Sequence, residues 1–201
     1  MITPAPPVLL VPGWAATARH LRQCRRFLLE SGWPDDSIEC LTFRRRYGSN
    51  IEHAAELARA AEALGRRKRS RIAVVAHSMG GLALRRYLLD GGGDTVDTAI
   101  FVGTPHRGTW MAWLAWGGGG REMRPGSEFL RELNERPLPQ EVRSFCLRTP
   151  IDTRVLPGDS AWLDGAECLT VRLPTHPRML SHARTLGLIR ELLLDTGRAA
   201  A

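Results

Sequence analysis

The feature that most constrains this chain is a buried-strand pattern that leads straight into a helical pattern. Residues 72–76 are continuously apolar, which is typical of a strand covered on both faces of a parallel sheet. Ser78 follows at once, without a loop. So abrupt a turn needs small residues two positions before and two positions after the serine, and Ala76 and Gly80 stand there. The pattern predicts a strained turn that exposes Ser78 at the carboxyl end of a central strand.

Short apolar runs alternate with helical patterns along most of the chain. This alternation predicts an α/β fold with a mainly parallel sheet of about six strands, flanked by helices and joined by right-handed crossovers. The strand candidates are residues 7–11, 38–43, 72–76, 98–102, 142–147 and 168–173.

The helical patterns have recognisable ends. Asn50 is a predicted cap and Gly65 a predicted stop for one helix, and the last helix is predicted over residues 181–195, before Gly197. Apolar stripes predict the buried faces of the helices. The predicted inward positions are Leu21, Cys24 and Leu28 in the first helix, Ile51, Ala54, Ala55, Ala58 and Ala61 in the second, and Leu186, Ile189 and Leu193 in the last.

One segment interrupts the alternation. Residues 105–139 contain no strand candidate, and their amino-terminal half is rich in tryptophan, with Trp110, Trp113 and Trp116, and in glycine, with residues 117–120. We expect a short helical excursion after the strand near residues 98–102. The helical spacing of the tryptophans favours core packing. Their place after a strand favours a pocket wall instead, which we expect for at least one of Trp110 and Trp113, with Trp116 at the surface or in packing.

Length and composition narrow the class of protein. A chain of 201 residues with 43% hydrophobic and 24% charged residues is predicted to form one globular domain over residues 1–201. The net charge of +7 comes without a groove-reading motif, so nucleic acid is not an expected partner. The four cysteines, Cys24, Cys40, Cys146 and Cys168, lack metal-site spacing. They are predicted to be buried reduced thiols, with no metal or cofactor.

The amino terminus lacks the marks of a membrane or secretory segment. Residues 2–18 are uncharged but contain several prolines, and the first cation is Arg19. Neither a spanning helix nor a secretory signal is expected. The chain is therefore predicted to be cytoplasmic, without stable membrane insertion, and the sequence carries no sign of its oligomeric state.

A reactive serine needs a histidine to take its proton and an acid to orient that histidine. His176 lies just past the last strand candidate, where a loop can hold it over Ser78. Asp152 follows the strand near residue 147, at the carboxyl edge where open α/β sheets place their sites, and Asp159 is the alternative.

The other histidines receive different expectations. His106 opens the excursion and is predicted to line the pocket, and His77 is predicted to be a supporting or packing residue. Structural or solvated positions are preferred for His20 and His53, and His182 is placed too far into the last helix.

Two backbone donors complete the chemistry. The N–H of Met79, next to the serine, and the N–H of Trp14, in the turn after the first strand, are placed to stabilise an oxyanion. Gly13 lets that turn bend, whereas Pro12 has no N–H to donate.

These motifs resemble the α/β-hydrolase superfamily, in particular its compact bacterial lipase and esterase branch. The stretches that carry the resemblance are residues 8–14, 76–81 and 102–109, followed by Asp152, Val155, Pro157 and His176. The resemblance implies a triad of Ser78, Asp152 and His176, an oxyanion hole from Trp14 and Met79, and hydrolysis of small or lipid-like carboxylic esters through an acyl-enzyme without a cofactor. The excursion itself is short for a full lid, so we expect an open site with weak or no interfacial activation.

Two alternatives remain open at this stage. An acyltransferase or a thioesterase would use the same triad with a different acceptor or acyl donor. The other alternative is a catalytically silent binding module. It is supported by Pro12 and Ala76, which depart from the motifs of the family that the chain resembles.

Overall fold

The computed structural model describes residues 5–172 and 174–195, and within them six strands form one parallel sheet. The strands run in the order β2-β1-β3-β4-β5-β6. Their bounds are β1 Val8–Val11, β2 Ile38–Cys40, β3 Ile72–His77, β4 Val96–Val102, β5 Arg143–Arg148 and β6 Glu167–Thr170. The predicted α/β fold with a parallel sheet flanked by helices is confirmed.

Helices cover both faces of this sheet. Within the described residues they are α1 Arg22–Glu30, α2 Asn50–Lys68, α3 Met79–Leu89, α4 Gly117–Glu122, α5 Glu128–Asn134 and α6 Ala183–Leu194. One core cluster joins α2 and α3 to the sheet, and a second joins α1 and α6 to its other face. Leu9 of β1 belongs to the first cluster and Leu10 to the second. Successive strand residues point to opposite faces of the sheet, and helices shield both faces from water. The central strands are therefore continuous apolar runs in the sequence.

Every strand end lies within two residues of the sequence prediction, except the carboxyl ends of β2 and β6. β2 ends at Cys40 rather than at residue 43, because the chain leaves the sheet after one more backbone bond, from the Leu41 N–H to the Leu10 carbonyl (2.9 Å), and Phe43 turns into the core. β6 ends at Thr170, and the predicted strand end at Leu173 lies outside the described residues.

Helix α2 also begins and ends differently. Ser49, not Asn50, is the cap: its Oγ accepts the Glu52 N–H in a capping box. Asn50 instead donates its side-chain amide to Glu122 of α4 (2.8 Å). The helix passes the predicted stop at Gly65 and ends at Lys68.

The buried stripe of α2 differs from the prediction accordingly. Ala54 and Ala61 are buried as expected, but Ile51 is 52% exposed and Ala55 is exposed. Leu57 and Leu64 complete the stripe instead. In α6, by contrast, the three predicted inward positions, Leu186, Ile189 and Leu193, are all buried, and Gly197 lies outside the described residues.

The cysteines are all free thiols, as predicted, but two are only half-buried. Cys24 and Cys146 are buried, whereas Cys40 and Cys168 keep partial access to solvent. Among the described helices, none combines the length and the apolar character needed to cross a bilayer.

The turn between β3 and α3 packs directly on the turn that follows β1. A Cβ placed on Gly80 would lie 2.4 Å from the Pro12 carbonyl oxygen, and one on Gly81 would lie 2.0 Å from Oγ1 of Thr104. Both distances are far below van der Waals contact. Glycine at these positions therefore lets α3 begin against the neighbouring loops.

This contact yields a matched pair of substitutions. Gly80→Ala should destabilise the fold by about 1–3 kcal/mol, because backbone must move to admit the methyl group. Gly187→Ala, in a helical site with no atom within 4 Å of the new Cβ, should stabilise by about 0.5–1 kcal/mol. Chemical denaturation measures both. If the Gly80→Ala variant is as stable as the parent, the backbone around Pro12 can move at no cost and the prediction is wrong.

Candidate active site

Ser78 occupies a strained turn between β3 and α3. Its backbone has φ 54° and ψ −127°, in a region that residues with a Cβ rarely adopt. The Ser78 N–H donates to the Val102 carbonyl of the adjacent strand (2.8 Å), which fixes the turn to β4. The side chain is half-buried and lines a cavity at the carboxyl edge of the sheet.

The strand order brings two turns together at this point. β1 and β3 are neighbours although β2 lies between them in sequence, so the order reverses between them. Open α/β sheets bind ligands at such a crevice. Gly13, after β1, sits so close to the serine that a Cβ on it would lie 3.0 Å from the Ser78 Cβ. Met79 opens α3, and the first N–H groups of a helix have no acceptor within it.

His176 and Asp152 form a buried pair beside the same cavity. His176 Nδ1 lies 2.8 Å from Oδ2 of Asp152, and the two residues are 5% and 8% exposed. The other carboxylate oxygen, Oδ1, accepts the N–H groups of Arg154 and Val155, both at 2.8 Å. Asp152 is thus held by its own loop and in turn orients the imidazole of His176.

The pKa of Asp152 reflects two opposing effects. Burial raises the pKa of the carboxyl, but the hydrogen bond and charge of His176, with the two backbone N–H groups, outweigh it and lower the pKa below its ordinary value. The carboxylate is therefore ionised at neutral pH. An ionised Asp152 accepts the proton on Nδ1, which leaves Nε2 of a neutral His176 as an acceptor.

Two neighbours hold the His176 ring from behind. Gly103, with φ +59°, leaves room for it, since a Cβ there would lie 3.2 Å from the ring atoms Cε1 and Nδ1. The ring of His77 lies 4.8 Å from that of His176, and its Nε2 is 3.2 Å from the His176 carbonyl oxygen. Burial lowers the pKa of His77 to about 3, so His77 stays neutral and donates an N–H to that carbonyl.

Asp159, the alternative acid, lies elsewhere. Its carboxylate pairs with the Arg148 guanidinium (2.9 Å) and accepts the indole N–H of Trp162 (3.3 Å). All three residues are near a second cavity, which Asp159 and Trp162 line and which does not include Ser78. The structure therefore brings Asp152, and not Asp159, to His176.

The cavity at Ser78 has a volume of about 490 Å³. Ser78 and His176 both open into it, together with the side chain of Trp14, whose indole N–H donates to the Trp116 carbonyl (3.1 Å). The rest of the wall is mainly apolar: Pro105, Met111, Ala112, Leu114, Ala115, Met123, Val155 and Leu180. A polar dyad and a serine thus face an apolar chamber.

Comparison with known proteins decides the family. A sequence model of the alpha/beta hydrolase family matches residues 8–197. The chain belongs to that family. The resemblance inferred from the motifs is confirmed, and no curated protein matches the chain by sequence.

Solved structures of several other proteins have the same fold as this chain. The mature lipase BlEst2 of Bacillus licheniformis superposes with a TM-score of 0.83 at 16% identity, covering 95% of this chain and 93% of its own. Lipase B of Aspergillus fumigatus gives 0.79 at 22% identity, covering 94% of this chain but only 52% of its own. The metagenomic carboxyl esterase MGS0156 gives 0.67 at 17% identity, covering 95% and 70%. At these identities the likeness shows the fold alone.

His106 was predicted to line the pocket, but it is not among the residues that line the cavity. His106 is 1% exposed, packs edge-on against Phe101, and places Nε2 3.5 Å from Sγ of Cys146. Its carbonyl accepts from the buried Arg85 guanidinium (3.5 Å). Although it follows the carboxyl end of β4, its side chain turns back into the core on the α3 side.

Trp110 and Trp113 differ from both sequence expectations, whereas Trp116 lies at the surface as expected. Trp110, Trp113 and Trp116 are 66%, 62% and 77% exposed, so they form neither core nor cavity wall. Residues Trp110–Leu114 form a 3-10 helix, in which side chains three positions apart share one face. Ala112 and Met111 occupy the inward side of this helix, and the tryptophans face outward.

Three features of the site escaped sequence reasoning. His20 is exposed, as expected, but it also lines the cavity. Met111 supplies the inward apolar surface that was assigned to tryptophan. Thr109 donates Oγ1–H to the Arg154 carbonyl (2.7 Å) and accepts the Leu156 N–H (2.9 Å), tying the excursion to the loop of Asp152. Its place directly before the tryptophan-rich stretch was the only available signal.

The geometry ranks the two aspartates for experiment. Asp152→Asn should lower kcat on a soluble ester by about 10⁴-fold, because the amide no longer selects the required imidazole tautomer. Asp159→Asn, which alters a partly exposed ion pair, should change kcat little. Steady-state kinetics on folded variants test the ranking. Equal losses, or a larger loss for Asp159→Asn, would contradict it.

Proposed function

We propose that this protein is a serine hydrolase of carboxylic esters that works through an acyl-enzyme. The observation that carries the proposal is the convergence of Ser78, on its strained turn, with the buried pair of His176 and Asp152 at one apolar cavity. Family membership supports the reaction class, and the printed names of the structural neighbours, lipases and an esterase, support the substrate class.

In the first step Ser78 attacks the ester carbonyl carbon. Nε2 of His176 takes the hydroxyl proton as the C–O bond to Ser78 forms. The positive charge that develops on the imidazole is stabilised by the Asp152 carboxylate, 2.8 Å from Nδ1. Because Asp152 is already held by two backbone N–H groups, little reorganisation accompanies this step.

The carbonyl oxygen becomes an oxyanion in the same step. We assign its stabilisation to the backbone N–H groups of Met79 and Trp14, which belong to the two turns that meet beside Ser78. The amino terminus of α3 adds a favourable dipole. Collapse of the tetrahedral intermediate breaks the bond to the alcohol, which leaves with the proton from His176.

Water completes the reaction by the same route in reverse. His176 takes a proton from water, the resulting hydroxide attacks the acyl carbon, and Ser78 leaves with that proton as the carboxylic acid forms. The proposed chemistry uses only side chains, backbone and water. The apolar wall of the cavity, including Met111, Val155 and Leu180, suits the acyl part of a small or lipid-like ester.

The nucleophile is tested by Ser78→Ala. This variant should stay folded and lose kcat on p-nitrophenyl butyrate by about a million-fold, the scale seen when a triad loses its nucleophile. Ser70→Ala, an exposed serine before β3 at the opposite end of the strand, is the matched control and should keep full activity.

A fluorophosphonate probe separates this proposal from a silent binding module. The probe should label the parent protein and Ser70→Ala at Ser78, as peptide mass spectrometry would show, and it should not label Ser78→Ala. A folded parent protein that resists the probe, or a Ser78→Ala variant that retains turnover, would refute the proposed function.

The acyl wall is tested at Met111. Met111→Ala should lower kcat/KM for p-nitrophenyl octanoate more than for the acetate, because each buried methylene contributes about 0.8 kcal/mol, or roughly fourfold. Trp113→Ala, which removes an outward side chain of the same 3-10 helix, should leave the chain-length profile parallel to the parent. The reverse pattern would place the acyl chain against Trp113.

A further inference from the structure

Exposed apolar side chains lie beside the mouth of the cavity, and all of them except Leu114 are outside both the core and the cavity wall. We call this surface the aromatic rim. Its members and exposed fractions are Tyr47 45%, Trp110 66%, Trp113 62%, Leu114 71%, Trp116 77% and Leu156 37%. Large exposed apolar patches on a folded protein mark sites of interaction.

Contacts between neighbouring segments link the members of the rim to one another and to the cavity. Leu114 itself lines the cavity, and the Trp110 N–H donates to the Leu156 carbonyl (2.9 Å), which joins the 3-10 helix to the loop of Asp152. On the other side Gly117, with φ +77°, lies against the backbone of Tyr47, where a Cβ would be 2.1 Å from the Tyr47 oxygen. The glycine run thus brings the segment that carries the tryptophans into contact with Tyr47.

The rim is also fixed in place rather than loosely attached. The Trp116 carbonyl accepts the indole N–H of Trp14, whose ring packs edge-on against Tyr47 with centroids 5.2 Å apart. The guanidinium of Arg124 lies 4.5 Å from the centre of the Trp113 ring. The outward orientation of the tryptophans is therefore built into the fold.

The charges beside the rim indicate its partner. Arg44 and Arg46 lie within three residues of Tyr47, and Arg121, Arg124 and Arg154 lie on the segments that carry the other members. In the described part of the chain, the guanidinium groups of these five arginines form no ion pair with a carboxylate within 4.0 Å. Tryptophan side chains with free cations beside them match the boundary between acyl chains and anionic headgroups.

We propose that the aromatic rim docks this protein on the surface of an anionic lipid bilayer. The tryptophans enter the headgroup region, the arginines contact lipid phosphates, and the cavity mouth faces the membrane. The charge attracts headgroups and the aromatic side chains supply apolar contact, whereas either alone gives weak adsorption. This docking rests on the proposed function only for its use, delivery of a lipid-like ester to Ser78, and not for the binding itself.

Vesicle sedimentation tests the docking. The parent protein should partition onto vesicles of phosphatidylcholine and phosphatidylglycerol at 3:1 much more strongly than onto pure phosphatidylcholine, and 0.5 M NaCl should weaken the binding. The triple variant Trp110→Ser, Trp113→Ser, Trp116→Ser should lose partitioning by on the order of tenfold or more. Arg44→Gln with Arg46→Gln should lose about fivefold for each arginine.

Matched controls separate docking from folding and from catalysis. Trp162→Ser removes a tryptophan that also stacks with an arginine at 4.5 Å but lines the second cavity, and it should bind vesicles as the parent does. Ser78→Ala should also bind fully, so a failure of the proposed chemistry would not mask docking. Trp116→Ser alone, at the most exposed member, should weaken binding even if the triple variant proves unstable.

Three outcomes would overturn the proposal. One is equal partitioning of the parent and the tryptophan variants onto anionic vesicles. Another is partitioning of the parent protein that does not change with the phosphatidylglycerol content of the vesicles. The third is a parent protein that is a dimer by sedimentation velocity and becomes a monomer in the triple variant, which would assign the rim to contact between copies of this chain.

Discussion

The active-site edge of the sheet depends on close contacts that only glycine permits. Ser78 can adopt its positive φ because α3 starts against the loops that follow β1 and β4, with hydrogen atoms in place of side chains at the contacts. A Cβ on Gly80 would overlap the Pro12 carbonyl, and one on Gly81 would overlap Thr104. The turn that presents Ser78, the turn after β1 and the loop after β4 are therefore positioned by the same contacts.

The same device positions the histidine. The left-handed conformation of Gly103, at the end of β4, leaves a recess for the His176 ring, and His77 supports the His176 backbone from the neighbouring strand. Asp152 reaches the ring from the loop after β5, where its second oxygen is occupied by backbone N–H groups. Loops from adjacent parallel strands thus each contribute one part of the site, and the sheet sets the distances between them.

The excursion after β4 has two faces with different chemistry. Its inner face, with Met111 and Ala112, closes the cavity, while its outer face presents tryptophans to solvent. Helix α4 holds this arrangement because its glycines lie against Tyr47 and Ser49 and against the sulfur of Met79, which immediately follows Ser78. A short segment therefore forms part of the cavity wall and also carries an exposed apolar surface beside the mouth.

The sequence by itself determined the fold class and the position of Ser78, because continuous apolar strands and the small residues around the turn are local patterns with few structural solutions. It also indicated His176 and Asp152, since both follow strand ends at the carboxyl edge. Only the tertiary structure decided between Asp152 and Asp159, because both follow β5 in the sequence. In the fold, Asp152 contacts the His176 imidazole, whereas Asp159 pairs with Arg148. The tertiary structure also decided the direction of Trp110, Trp113 and His106. Residue spacing defines which side chains share a face of a helix. Whether that face contacts the core, the cavity or water depends on the residues that pack nearby in the fold, here Met111, Phe101 and the backbone of Tyr47.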